Sequence, residues 1–138
     1  MYQKSRVMIS LAPVLIGVFI LIGALPNIAA NHAATSWPTV SGVVSESRTT
    51  GTLSFISKES FISYRYEING ITHSSNRIYF GGGSASGYHK GQAIEIYYNP
   101  DNHSESVLET GLRAGNVLVL TLGIGMIIVG KSLWNRLA

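Results

Sequence analysis

The chain has no cysteine, so neither a disulfide nor a thiolate metal ligand can contribute to it, even in a compartment where disulfides form. It is poor in charge as well, with charged residues making up 12% of the total. All seven acidic residues fall between Glu46 and Glu109, and the stretches 7–25 and 114–130 carry no charge at all. The formal net charge of +3 does not make a nucleic-acid binder. Lys4, Arg6, Lys131 and Arg136 flank the two apolar stretches, and the other basic residues are scattered without aromatic interleaving.

Short catalytic signatures are missing too. His32, His73, His89 and His103 never fall at His-x-x-x-His or another tight ligand spacing, although His73 and His89 could meet in space as a two-histidine site. The run Gly82-Gly83-Ser84-Ala85-Ser86 fails as a nucleophile elbow, because Ser86 stands where the second glycine is needed. Gly81-x-Gly83 lacks the third glycine of a dinucleotide loop, again at Ser86. Glu67 and Glu95 would pair as carboxylates only on neighbouring strands. There is no internal repeat. The expectation is a protein without cofactor, metal site or catalytic residues.

What is present begins with two long apolar runs. Residues 7–25, at about 1.5 Å rise per residue, would cover about 28 Å, close to the hydrocarbon core of a bilayer. Residues 114–130 form a shorter run that Lys131 extends by snorkelling and Leu133 and Trp134 extend by their apolar faces. Lys4, Arg6 and Ala29-Ala30 would suit a cleaved signal peptide. The run is longer than an h-region of about 7–15 residues, however, and no Ala-x-Ala site follows promptly, so a retained anchor is expected. Cytoplasmic flanks carry the Lys/Arg excess, which puts both termini in the cytoplasm and the middle outside, as a periplasmic or extracellular domain. The expected organisation is an N-terminus at 1–6, transmembrane helices at 7–25 and 111–134, a connector at 26–36, a β-domain at 37–110 and a C-terminus at 135–138. Pro13 predicts a tolerated kink in the first helix.

Between the runs the clearest signal is a β-hairpin over 61–80. Ile62, Tyr64, Tyr66 and Ile68 alternate with Ser63, Arg65 and Glu67, and Asn69-Gly70 suits a two-residue turn with both φ angles positive. Residues 39–47 predict a strand with Val40, Val43 and Val44 as apolar positions and Gly42 as a bulge or close approach. Residues 48–51 read as a turn and 52–58 as a second strand carrying Leu53, Phe55 and Ile56. Residues 81–87 have the composition of a flexible surface loop. Ile94, Ile96 and Tyr98 predict the inner face of a strand that ends at 99–102, and 106–108 one last short strand. Short strands with frequent turns predict a membrane protein whose two transmembrane α-helices flank a small all-β antiparallel sandwich or partial barrel.

The segment Gly91-Gln92-Ala93-Ile94-Glu95-Ile96-Tyr97-Tyr98-Asn99-Pro100-Asp101-Asn102, followed by Ser106-Val107-Leu108-Glu109, resembles the bacterial membrane family called domain of unknown function 3592. Trp37, the Gly42-Val43-Val44-Ser45 strand, the Tyr64-x-Tyr66-x-x-Asn69-Gly70 hairpin and Arg77-Ile78-Tyr79-Phe80-Gly81 are similar to that family's pattern. The glycine-serine run at 81–87 departs from it. The resemblance implies a two-helix membrane protein with a compact β-domain between the helices, and it supplies no catalytic residue.

Three functions fit these features. The leading one is a non-enzymatic membrane-anchored interaction module, an accessory subunit, assembly factor or scaffold in the plasma (inner) membrane. Its partners would be the lipid bilayer and another membrane protein or a second copy. Trp37 and Tyr97 are its aromatic candidates, since Trp37 either packs on the sheet or joins an interfacial belt and Tyr97 faces opposite to Tyr98. Gly111-x-x-x-Gly115, Thr121-x-x-x-Gly125 and Gly130 supply small faces for close helix approach, either to the chain's own first span or to another protein. The alternatives are an immunity or envelope-stress protective protein and a metal-dependent enzyme using the histidines.

Overall fold

A computed structural model describes residues 2–51 and 58–137. The elements run α1 (Tyr2–Ala34), β1 (Thr39–Gly51), β2 (Lys58–Ile68), β3 (Ile71–Ser75), β4 (Ala93–Asn99), β5 (Asn102–Val107) and α2 (Ala114–Leu137). They form two compact units, one of residues 1–29 with 112–138 and one of residues 30–111.

In the first unit both helices are long and apolar enough to cross a membrane. Their large apolar side chains point outward, Phe19, Met8, Ile22 and Ile128 being among the most exposed. α1 contains Pro13 and Pro26 and takes in most of the expected connector at 26–36. A proline inside a helix leaves one carbonyl without its donor, a loss that membrane helices tolerate. The helices pack where side chains vanish. A Cβ on Gly17 would strike the Gly123 carbonyl and Ile127, and one on Gly130 would strike Val14 and the Ser10 carbonyl.

The second unit is a single antiparallel sheet of order β3-β2-β1-β4-β5. It is a partial barrel rather than a two-sheet sandwich, because the sheet curls until its edge strands β3 and β5 lie beside each other. Ile62, Tyr64, Tyr66 and Ile68 are buried, as their period-2 alternation predicts, and Asn69 and Gly70 take φ of 53° and 78° in the turn. Val44 and Ile96 complete the centre of the core, with Val40, Ile94 and Tyr98 packed against it.

Three local expectations change, and of the two readings of Gly42 one holds. Val43 is exposed, because strict alternation in β1 places Val40, Gly42 and Val44 on the inner face. The bulge falls between Val44 and Glu46, while Gly42 is the close approach: a Cβ there would overlap Ile96 Cδ1 and the Arg65 carbonyl. The expected turn at 48–51 is instead the far end of β1, paired through Gly51↔Lys58, and the expected strand residues Leu53, Phe55 and Ile56 lie outside the described residues. The return arm of the hairpin leaves the ladder after Ser75.

The glycine-serine loop is pinned rather than loose. Ala85 is 1% exposed, its N–H donates to Ser60 Oγ at 3.3 Å, and Gly83 packs on Ile78. Gly81, Gly82, Gly83 and Gly87 all have positive φ, so the run provides a path for the chain that other residues would strain to follow.

Candidate functional site

The last turns of α1 belong to the β-domain unit and are capped there. Thr35 Oγ1 donates to the His32 carbonyl and Ser36 Oγ to the Ala33 carbonyl, satisfying acceptors that a helix end leaves free. Asn31, fully buried, is a two-way clamp: its Nδ2 donates to the Phe80 carbonyl at 2.9 Å and its Oδ1 accepts from the Phe80 N–H at 3.0 Å. The Asn31 carbonyl accepts from Gly111 N–H at 3.1 Å, and the Tyr79 hydroxyl donates to the Gly111 carbonyl.

Trp37 packs edge-on against Phe80, with ring centroids 5.9 Å apart and planes at 78°. The Arg77 guanidinium lies 4.8 Å from the Phe80 centroid and 3.5 Å from the Glu105 carboxylate. Residues 75–77, 102 and 104–106 line a polar cleft of about 310 Å³ beside this stack. Tyr97 pairs with Thr39 on one side and Val107 on the other, half-buried and opposite in direction to Ile96 and Tyr98.

On α2, an added Cβ at Gly115 or Gly125 meets nothing, and Thr121 is exposed with its hydroxyl returned to the Val117 carbonyl at 2.8 Å. These three small positions lie off the α1 contact, which is made by Gly123 and Gly130 instead. Gly123 carried no sequence signal of its own, since only the opposing Leu21 reveals which helix face meets α1.

Inside the barrel, polar atoms are satisfied across strands. The Tyr64 hydroxyl donates to the Arg77 carbonyl at 2.6 Å and shares a hydrogen bond with Ser106 Oγ at 3.1 Å. The Tyr66 hydroxyl donates to the His103 carbonyl at 2.5 Å. Burial pushes both phenols above their ordinary pKa, with hydrogen bonding to Ser106 acting in the opposite direction.

The histidines assemble differently from the His73–His89 pairing that the sequence suggested. His73, opposite Tyr66 on β2, stacks on that ring at 5.4 Å, and its centroid stands 6.4 Å from His103 of β5 at an interplanar angle of 88°. Tyr98 meets His103 edge-on at 5.5 Å. His89 is exposed on the loop before β4 and joins no ring contact among the described residues. The approach of β3 to β5 is a property of the curled sheet, which strand periodicity alone does not disclose. Among the described residues no three His, Asp or Glu side chains converge.

Glu67 and Glu95 are not paired, because β1 separates β2 from β4. Glu67 lies opposite Thr72 and Glu95 opposite Ser41. Ser84 and Ser86 hydrogen-bond to each other at 2.7 Å on the surface loop, without a base beside them among the described contacts.

A family model described as domain of unknown function 3592 matches residues 39–113. Comparison with curated proteins and with solved structures returns no match.

Proposed function

Since the chain belongs to the family of domain of unknown function 3592 and its β-domain lies between two apolar helices, we propose that it is a non-enzymatic, membrane-anchored interaction module. It serves as an accessory subunit, assembly factor or scaffold of a membrane complex. Both termini face the cytoplasm and the β-domain stands on the outer side of the plasma (inner) membrane. The carrying observation is the division of small residues on α2: Gly123 and Gly130 are used against α1, whereas Gly115, Thr121 and Gly125 are left open for a second helix. Small residues let helix backbones approach closely in lipid, where there is no hydrophobic drive to hold helices together. Tyr97 adds a half-buried aromatic anchor on the outer face of the sheet.

The test is gentle extraction from native membranes, capture through a tag placed after Ala138 and mass spectrometry of what remains stoichiometric. The expected result is a partner membrane protein or a second copy, lost on Gly125→Leu or Tyr97→Asp while the β-domain stays folded. A monodisperse monomer from unmodified membranes overturns the reading. Topology is checked separately on this cysteine-free background. A cysteine at Ser104 should react with an impermeant maleimide in intact cells, and one at Ala138 should react only after lysis.

A further inference from the structure

We propose that the seam between β3 and β5 is a two-histidine binding site for a divalent first-row transition metal ion of borderline softness, with His73 and His103 as its protein ligands. Metal–nitrogen bonds of about 2.0–2.1 Å put the ring centroids of two imidazoles on one ion about 5.2 Å apart at a tetrahedral angle and about 6.4 Å apart when the ligands are opposed. The 6.4 Å between His73 and His103 stands at the wide end of that range, the separation of two opposed imidazole ligands.

Two further observations point to a ligand. Both imidazoles are half-buried, yet neither ring donates or accepts a hydrogen bond among the described residues, which leaves four ring nitrogens for water or a metal. The rings are also held in place. Tyr66 stacks on His73 and ties down the His103 backbone carbonyl, and Tyr98 braces His103 at its edge. Imidazole suits zinc, copper and nickel rather than magnesium or calcium, and an N-donor pair follows the order in which Cu²⁺ binds above Zn²⁺. With two protein ligands the ion keeps open positions for water or for a donor from a bound partner.

The experiment uses the full-length protein in detergent, prepared without a polyhistidine tag and titrated calorimetrically with Cu²⁺ and Zn²⁺. One ion per chain is expected, with Mg²⁺ giving no heat. His73→Asn and His103→Asn should each weaken binding tenfold or more, whereas His32→Ala and His89→Ala should leave it unchanged. Electron paramagnetic resonance of the unsubstituted Cu²⁺ form gives a readout that does not depend on any variant folding, and coupling to two imidazole nitrogens is expected. Absence of stoichiometric binding, a spectrum without imidazole nitrogen coupling, or affinity unaffected by the His73 and His103 substitutions each overturns the proposal.

Discussion

At the scale of single residues, the core tolerates phenol hydroxyls because each reaches an acceptor. Tyr64→Phe keeps the ring and removes the bonds to the Arg77 carbonyl and Ser106, which should cost about 1–3 kcal/mol in a denaturant titration. The pH dependence follows from the raised Tyr64 pKa. Below the unfolded value of 10.0 both states keep the proton; above it the unfolded chain ionises first, so stability is lost as pH climbs past 10 toward the folded pKa. In unfolding curves from pH 8 to pH 11, Tyr64→Phe should therefore show a shallower alkaline decline than the parent. Gly42→Ala places a methyl on Ile96 and the Arg65 carbonyl, an overpacking worth about 1–3 kcal/mol, whereas Gly23→Ala meets nothing and should be neutral.

Elements differ in how much of them the sequence discloses. The β2–β3 hairpin is legible because one face is buried, the other is wet, and Asn69-Gly70 fits its turn. The helices are legible from apolar length. The second half of β1 is not, because Arg48, Thr49, Thr50 and Gly51 have turn-like composition and become strand by pairing with 58–61. Ala85 likewise turns a run with linker composition into part of the core, a contact that only the folded sheet supplies. The histidine pair was hidden for a related reason: its members sit thirty positions apart on opposite edges of the sheet. The small faces of α2 yield a paired prediction. Gly130→Leu should disrupt the packing of α1 on α2, lowering the melting temperature in detergent by several degrees. Gly125→Leu should leave that temperature in place and abolish the larger complex that the proposed function expects on native gels.

For the whole molecule, each unit holds itself together by different physics: small-residue contact between helices in one, aromatic burial with cross-strand hydrogen bonding in the other. Asn31→Leu should separate the two in a melting experiment. It removes both Phe80 backbone partners and should destabilise the β-domain by about 2–4 kcal/mol while the helix content measured by circular dichroism persists. The bond from Gly111 N–H to the Asn31 carbonyl joins the two ends of a span of some eighty residues. A span that sets out from and returns to one point is a cassette. Residues 30–111 could be transplanted into a tight turn of an unrelated host, or opened at the Asn69-Gly70 tip with their old ends spliced, because the joint occupies the footprint of a single hydrogen bond.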